Sequence, residues 1–520
     1  MQRRSFLKNL ACASLLLPAM SGLPRMRAFA QTLHGSPFLR REAEGADGVM
    51  VIIRLFGGND GLNTLVPYQD DRYYRARGRG TDLDLSIAPE RVLRLHDTGT
   101  LGFHPAFAPM HELYMEGKMA IVQNVGYPDQ DLSHFRSTDI WLSGSDADVY
   151  ETSGWYARYL ESRHPNYPDV LPDAPFAIEV DTYLGTSLMG RRGDMGIAVS
   201  DFSFIPDHPA QIDGDHATNA AIEERFVRET MRQSSIFLDA VAGAHRRAAR
   251  NTVAYPGDSL LGGQLAAVAR MIAGGLPTQL YVINVDGFDT HFDQQARHAN
   301  LLGYIAGSMH AFQRDIEGLG VAHRVSMMTI SEFGRRVASN GSGTDHGAAA
   351  PLFVIGQGVR GGIIGADPDL GDLDEAGNLR MQFDFRQIYA SVLGQWLGAT
   401  GAELEGDALP RGFEQLPIFQ HRSTTFTEAA RSSPELRLTL SQNHPNPART
   451  ITTIEVGGIP PGGQGTLTLH DIGGRQVLRR AVGAEERSIA LDVRDLPAGS
   501  YLYMLQAGAA QCSGRMVVRH

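Results

Sequence analysis

The chain has 520 residues, 42% hydrophobic and 20% charged, which is ordinary for a folded protein with more than one domain. Its formal charge is −11 and no basic stripe stands out, which argues against nucleic acid as the main partner. The 58 glycines favour a loop-rich α/β or β architecture over a helical bundle.

The first thirty residues are predicted to be an export signal. The run Arg3-Arg-Ser-Phe-Leu-Lys8 precedes an apolar stretch, Leu10–Leu17, and Ala28-Phe-Ala30 is a small-x-small cleavage site. This arrangement is typical of a twin-arginine signal, which directs a folded protein to the periplasm. An ordinary Sec signal is the alternative.

The remaining chain is predicted to lack both an internal disulfide and a membrane span. Its two cysteines are Cys12, inside the signal, and Cys512, near the C-terminus. The mature chain therefore cannot form an intramolecular disulfide despite its export. No stretch outside the signal approaches the ~20 apolar residues that a transmembrane helix needs.

Short apolar runs of strand length predict the buried strands of a sheet. They are Val49–Phe56, Lys118–Val125, Thr278–Val285, Ser326–Ile330 and Pro351–Ile355. Helical stretches alternate with these runs, which predicts a mostly parallel sheet in an α/β domain over residues 31–420. Because parallel strands end at the same edge of a sheet, we expect the polar residues beyond them to share one site.

Acidic and imidazole groups stand at the ends of these runs. The candidates for a metal site are Asp60, Asp289, His291, Glu332, Asp345 and His346. Carboxylate and imidazole ligands suit Zn or Mn, with Mg or Ca as alternatives, and two metals can clamp both oxygens of an in-line displacement. The competing interpretation is that these residues are hydrogen-bonded turn and capping groups of a binding protein.

Two further residues are candidates for catalysis. Ser133 is predicted to be the N-cap of a helix, where the positive end of the helix dipole stabilises an alkoxide and binds an oxyanion. Capping alone also explains a serine at this position. Arg335 and Arg336 lie beside the acids and could neutralise an anionic substrate.

These segments together resemble the domain-of-unknown-function 1501 family, which is grouped with the alkaline phosphatase, sulfatase and phosphoglycerate mutase superfamily. The motifs that carry the resemblance are Gly57-Gly-Asn-Asp-Gly-Leu-Asn63, Ser133-His-Phe135, Gly287-Phe-Asp-Thr-His291, Glu332-Phe-Gly-Arg335, Gly343-Thr-Asp-His-Gly347 and Asp384-Phe-Arg386. The resemblance covers residues 48–400 and implies a doubly wound, alkaline-phosphatase-like α/β fold. It implies no established activity, because the family is uncharacterised.

The resemblance also implies roles for the candidate residues. Ser133 matches the nucleophile, and Glu332 takes the place of a ligand to a second metal. Asp60 matches the metal ligand that follows the first strand, and the residues that match ligands to the first metal are Asp289, His291 and His346. Phe333 stands where the superfamily has a histidine, so the second site lacks an imidazole unless His134 or Asp345 supplies a ligand. In an alternative alignment, Asp345 and His346 are themselves the usual Asp-His pair.

The C-terminal region is predicted to be a separate β-sandwich. Beyond a polar linker at 421–437, short strands separated by Gly, Pro and Asp turns fill residues 438–520. Gln442-Asn-His-Pro-Asn-Pro447 and Leu496-Pro-Ala-Gly-Ser-Tyr501 resemble a type IX secretion sorting domain. That resemblance implies passage across the outer membrane, followed by surface attachment or release. A generic carbohydrate-binding or immunoglobulin-like sandwich is the alternative.

Two functional hypotheses follow. The first is an exported metal-dependent hydrolase of phosphate or sulfate esters, with one or two divalent metals and a small-molecule or polymer substrate. In it, Ser133 attacks the ester and Arg335 binds its anionic group. The second is a non-catalytic surface or binding protein on a degenerate hydrolase scaffold, which Phe333 favours because its ring cannot bind a metal.

Overall fold

The computed structural model describes residues 48–168, 170–200, 234, 236–405, 408–420, 439–440, 443–457, 459, 463–471, 475–507 and 510–519. The predicted export signal at 1–30 and linker at 421–437 lie outside this part of the chain. Two compact units are formed, Met1–Arg422 and Ser423–His520. Within the described residues, no helix is long and apolar enough to cross a membrane.

The first unit consists of a large sheet, two smaller sheets and helices. Its strands are β1 (Val49–Leu55), β2 (Leu65–Val66), β3 (Leu93–Arg94), β4 (Gly102–Phe103), β5 (Met119–Gly126), β6 (Ala177–Val180), β7 (Ile197–Ala198), β8 (Leu280–Val285), β9 (Val325–Ile330), β10 (Gly334–Arg335), β11 (His346–Gly347), β12 (Ala350–Gly356), β13 (Gly362–Ile364) and β14 (Phe383–Asp384). Its helices are α1 (Gly61–Thr64), α2 (Asp71–Ala76), α3 (Ala108–Met115), α4 (His134–Ser143), α5 (Trp155–Arg163), α6 (Leu260–Ala273), α7 (Gln294–Gly318), α8 (Phe385–Ser391) and α9 (Gly401–Leu404).

The large sheet has the strand order β13-β5-β12-β9-β1-β8-β6-β7, with β14 also paired to β5. The β1–β8, β1–β9 and β6–β8 pairs are parallel, which confirms the predicted mostly parallel sheet. β12 runs antiparallel to both β5 and β9. The residues that precede β12 therefore reach the same edge as the residues that follow β1, β8 and β9.

Helices cover both faces of this sheet. Side chains alternate along a strand, so Val51 and Ile53 of β1 enter one hydrophobic core while Met50 and Ile52 enter the other. Helices α3, α6 and α7 pack on the first face, and α4, α5 and α8 pack on the second. The unit is thus a doubly wound α/β domain, as the family resemblance implies.

The second unit is all β, which confirms the predicted C-terminal architecture. Its strands are β15 (Thr439–Leu440), β16 (Ile451–Gly457), β17 (Gln464–Asp471), β18 (Gln476–Gly483), β19 (Ser488–Asp492), β20 (Gly499–Ala507) and β21 (Ala510–Val518). They form two antiparallel sheets, β15-β16-β19 and β18-β17-β20-β21. Inward-facing residues such as Ile454, Leu467 and Tyr503 share one hydrophobic core.

Candidate metal centre

Three segments meet at the carboxyl edge of the large sheet. The start of α4 carries His134, the loop after β8 carries Asp289 and His291, and the short strand before β12 carries His346. Gly57 lets these segments approach, since its φ is +121° and a Cβ there would clash with the backbone of Asp289. The antiparallel direction of β12 is what delivers His346 to this edge.

The side chains of these residues converge on one point. Asp289 Oδ1 lies 3.1 Å from His291 Nε2 and 3.3 Å from His346 Nε2, and its Oδ2 lies 3.6 Å from His134 Nε2. The Nε2 atoms of His291 and His346 are 3.0 Å apart. His134, Asp289 and His346 can each offer one ligand atom such that all three atoms lie within 4.8 Å of one another.

Hydrogen bonds on the far side of the rings determine the tautomers of His346 and His291. His346 Nδ1 lies 2.8 Å from the carbonyl oxygen of Leu132, and His291 Nδ1 lies 3.2 Å from Asp345 Oδ1. A carbonyl and an ionised carboxylate only accept hydrogen bonds, so both Nδ1 atoms donate. In the neutral rings, the two Nε2 lone pairs then face each other across 3.0 Å. A metal ion between the two nitrogens, or a proton on one of them donated to Asp289 Oδ1 or to the other ring, would remove the repulsion between these lone pairs.

His134 is oriented in the same way by Glu332. Its Nδ1 lies 2.8 Å from Glu332 Oε1, which also accepts a 2.8 Å hydrogen bond from the Gly57 N–H. Glu332 is buried, and its Oε2 has no hydrogen-bond partner within the part of the chain that is described. A carboxylate behind a ligating histidine is the usual means of orienting the ring and raising its basicity.

The spacing of the side chains around Asp289 is compatible with a divalent metal ion. In a tetrahedral site with metal–nitrogen bonds of about 2.0–2.1 Å, the ligand atoms lie about 3.3 Å apart. The contacts of Asp289 with the three histidines span 3.1–3.6 Å, with Oδ1 facing His291 and His346 and Oδ2 facing His134. The residues that would hold the ion are His134, Asp289 and His346, because their ligand atoms all lie within 4.8 Å of one another. Imidazole and carboxylate donors suit Zn or Mn.

The surroundings of Asp289 and His346 favour the ionised carboxylate and the neutral imidazole. Burial alone would raise the pKa of Asp289, but the hydrogen bond and charge of Arg335 lower it below its ordinary value. Burial lowers the pKa of His346, and the nearby charges of Arg335 and His134 act in the same direction. The carboxylate is therefore ionised and the imidazole of His346 is neutral, as metal binding requires.

Arg335, which is predicted to bind a substrate anion, directs its hydrogen-bond donors to groups of the protein. Its side chain is fully buried and forms a 2.7 Å ion pair with Asp289. Its other donors reach the carbonyl oxygens of Gly57, Gly58, Phe288 and Thr344. Arg335 therefore holds the loops after β1 and β8 together and orients the Asp289 carboxylate.

Asp60, which is predicted to be a metal ligand, is paired with an arginine in this structure. Its buried carboxylate forms a bidentate ion pair with the buried Arg77, at 2.6 and 2.8 Å. It also accepts hydrogen bonds from the Gln294 amide and from the backbone of Asn63, where it caps α1. Burial alone would raise the pKa of Asp60, and the charge of Arg77 offsets this and lowers it. The carboxylate is thus used to join α1, α2 and α7.

Glu332 and Asp345 likewise lie behind histidine rings, although both are predicted from the sequence as metal ligands. Phe333, at the position where a histidine is expected, is buried and packs 4.4 Å from the His346 ring and 5.0 Å from the His134 ring. It forms an apolar wall that fixes the planes of two candidate ligands. Among the described residues, these side chains therefore form one candidate metal cluster with supporting residues, where the sequence predicts one or two metal sites.

Ser133 occupies the N-cap position of α4, as predicted. The residue is exposed, and its hydroxyl forms no capping hydrogen bond. It is flanked by Leu132, whose carbonyl holds His346, and by His134 of the cluster. Of the cluster, His134 is the residue that sequence reasoning underrates, because it is considered there only as a substitute ligand for a second metal. Its position directly after Ser133 at the start of a helix is the signal that points to it.

The first unit is therefore a doubly wound α/β domain with a three-histidine, one-carboxylate cluster at the carboxyl edge of its sheet. Residues 207–411 match the family described as "Protein of unknown function (DUF1501)", and residues 443–519 match the "Secretion system C-terminal sorting domain". Both family resemblances drawn from the motifs are confirmed. The second match indicates type IX export to the cell surface or the extracellular space.

Among solved structures, the chain is similar to a protein of the alkaline phosphatase superfamily from Vibrio parahaemolyticus, with 6% identity, a TM-score of 0.32 and coverage of 86% of this chain and 80% of that one. It is also similar to a 2-O GAG sulfatase, with 10% identity, a TM-score of 0.29 and 86% coverage of each chain. A match to dimeric latent PorU from Porphyromonas gingivalis has 21% identity and a TM-score of 0.14, and covers 17% of this chain and only 10% of that chain. No protein with a curated description matches the sequence.

Proposed function

We propose that this protein is an exported metal-dependent hydrolase of phosphate or sulfate esters. The observation that carries the proposal is the convergence of the His291 and His346 Nε2 atoms on Asp289 while both Nδ1 atoms are held as donors. A bound divalent ion would polarise an ester oxygen and offset its developing negative charge. The donor set favours Zn or Mn.

Within this proposal Ser133 is the nucleophile. Its hydroxyl is exposed, forms no capping bond and stands at the positive end of α4, which stabilises a developing alkoxide. The Ser133 oxygen would form a bond to phosphorus or sulfur while the bond to the alcohol oxygen breaks, and the alcohol leaves with a proton. Water would then release the phosphate or sulfate from the serine.

The other residues of the site have positioning roles. Glu332 and Asp345 orient the rings of His134 and His291, and Arg335 orients Asp289. Phe333 excludes water from one side of the rings. The twin-arginine route and cleavage after residue 30 remain predictions from the sequence.

A matched pair of serine variants tests the nucleophile. Ser133→Ala should lower hydrolysis of 4-nitrophenyl phosphate or sulfate by on the order of 100-fold or more without changing bound metal. Ser259→Ala is the control, because Ser259 also occupies an N-cap and does cap α6 through the Gly262 N–H. The control should lose about 0.5–2 kcal/mol of stability and keep its activity. Equal activity of wild type and Ser133→Ala would remove Ser133 from the mechanism.

The second candidate function is that of a non-catalytic binding protein. It is favoured by Arg335, because the hydrogen-bond donors of its guanidinium group are used within the protein and not held ready for a substrate anion. Elemental analysis and turnover measured on the same preparation separate the two. Stoichiometric Zn or Mn together with serine-dependent turnover would support the hydrolase. Bound metal without turnover of either ester would support the binding protein, whereas a chain that binds no metal would contradict the proposed centre.

A further inference from the structure

We infer that Arg54 forms an anion-binding subsite beside the metal centre, which favours esters that carry a second anionic group. This inference rests on the proposed function, which places the ester at the metal centre. The subsite itself is argued from the surroundings of Arg54. Arg54 is the penultimate residue of β1, and its side chain lies on the face of the sheet shared with Met50 and Ile52.

The guanidinium group of Arg54 is not neutralised by a direct contact. The residue is half-buried, its Nε atom is buried without a hydrogen-bond partner, and no ion pair to it is formed by the described residues. Keeping a cation partly desolvated and unpaired costs free energy. An arginine left in this state at the functional edge of a sheet is suited to a ligand that supplies the missing charge.

Other buried arginines of the same unit differ from Arg54 because carboxylates or carbonyl groups bind them. Arg136 reaches the carbonyls of a neighbouring loop, and Arg158 reaches those of Ser143, Ser153 and Ala408. Arg386 is bound by two aspartates. Among the described residues, Arg54 has no carboxylate or carbonyl partner of this kind.

Arg54 is separated from the metal centre by one aromatic ring. Its guanidinium carbon lies 5.8 Å from the centre of the Phe56 ring, and that ring lies 5.5 Å from the centre of the His134 ring. Arg54, Phe56 and His134 are each half-buried, so each keeps part of its surface in contact with solvent. A substrate whose ester is at the centre could place a second group on Arg54.

The acids near Arg54 accept hydrogen bonds from neutral groups and form no direct ion pair with it among the described residues. Asn284 stands beside Arg54 on the neighbouring strand, and its amide donates to Asp181 at 2.6 Å and to Glu179 at 3.3 Å. Glu179 also accepts a hydrogen bond from the Gly185 N–H; burial raises its pKa, and the charge of Arg54 acts in the opposite direction.

Two esters that differ by one carboxylate test the subsite. We would compare 4-nitrophenyl phosphate with 2-carboxy-4-nitrophenyl phosphate on wild type, Arg54→Gln and Arg54→Lys. Arg54→Gln should raise KM for the carboxylated ester about 10- to 100-fold, which is the effect of one charge-assisted hydrogen bond, and change KM for the simple ester less than about threefold. Arg54→Lys, which keeps the charge, should recover part of the loss.

Arg360→Gln is the matched control. It removes the same charge from an exposed arginine beyond the end of β12, on the opposite edge of the sheet, and should leave the preference for the carboxylated ester intact. Equal effects of Arg54→Gln on both esters, or none on either, would overturn the subsite. So would a wild type that shows no preference for the carboxylated ester.

A binding measurement separates failure of the subsite from failure of the proposed function. Calorimetry would compare a 4-nitrophenyl phosphonate with its carboxylated analogue on the full chain. If wild type hydrolyses neither ester but binds the carboxylated phosphonate more tightly in an Arg54-dependent manner, the subsite stands and the hydrolase fails. If wild type hydrolyses both esters and Arg54→Gln keeps every preference, the hydrolase stands and the subsite fails.

Discussion

Replacing Glu332 by glutamine tests whether Glu332 orients the metal ligand His134 or binds the metal itself. Glutamine keeps the size of the side chain and an oxygen that can accept from the Gly57 N–H and from His134 Nδ1, which both lie 2.8 Å from Oε1. It removes the negative charge. A hydrogen bond to a charged group contributes about 1.5–3 kcal/mol and one between neutral groups about 0.5–1.5 kcal/mol.

The difference of about 1–1.5 kcal/mol corresponds to roughly tenfold weaker metal binding, which is the lower end of the range for residues that support a metal ligand. Asp345→Asn should have a smaller effect. The Asp345 side chain is 50% exposed and lies 3.2 Å from His291 Nδ1, whereas Glu332 is buried and lies closer to its histidine. Solvent screening weakens the exposed contact.

The assay is competition for Zn²⁺ against a chelator of known affinity, with thermal unfolding of the metal-free proteins as the control for folding. Metal-free Glu332→Gln should be about as stable as wild type, because the substitution removes a buried charge whose Oε2 has no partner in the described part of the chain. Unchanged affinity would refute the orienting role. A loss far above 100-fold would instead support direct ligation by Glu332, and a larger loss for Asp345→Asn would contradict the burial argument.

Two further predictions concern the buried groups behind the site. Arg77→Ala leaves the Asp60 carboxylate buried without its cation, so we expect the free energy of unfolding in urea to fall by about 3–5 kcal/mol. The double variant Arg77→Ala/Asp60→Asn should lose less, because the unpaired charge is removed as well. Additive losses of the two single variants would contradict the pairing. Burial lowers the pKa of His298 from 6.5 to about 4, so the folded state binds a proton less readily than the unfolded state. The stability from this group is complete above pH 6.5, falls as the pH is lowered towards 4, and amounts to on the order of 3 kcal/mol. His298→Gln should flatten the unfolding free energy between pH 6.5 and 4, and an unchanged slope would contradict the assignment.

The strands are the best-predicted part of this fold, for a physical reason. The predicted run Val49–Phe56 corresponds to β1, and Thr278–Val285 contains β8. A strand covered on both faces must be apolar at successive positions, so its length is visible in the sequence. The direction of β12 is not visible, because an apolar run has the same composition whichever way it runs.

The candidate site could likewise be predicted from the sequence only in part. Asp289 and His291 follow a buried strand, and parallel strands end at one edge, so their approach follows from local sequence and sheet topology. His346 meets them because β12 is antiparallel. The partner of Asp60 is Arg77, which lies in a segment of irregular sequence, and nothing in the local pattern shows that the two will be buried together.

The amino-acid sequence by itself determined the residue types at the edge of the sheet, the alternation of strands and helices, and the separate C-terminal β unit. Only the tertiary structure decided which of the acids face the imidazoles and which face arginine. The reason is that the role of a carboxylate depends on the charge that burial places within a few ångströms of it. Asp60 and Asp289 both follow strands, but Asp60 is enclosed with Arg77, whereas Asp289 has Arg335 on one side and three histidines on the other.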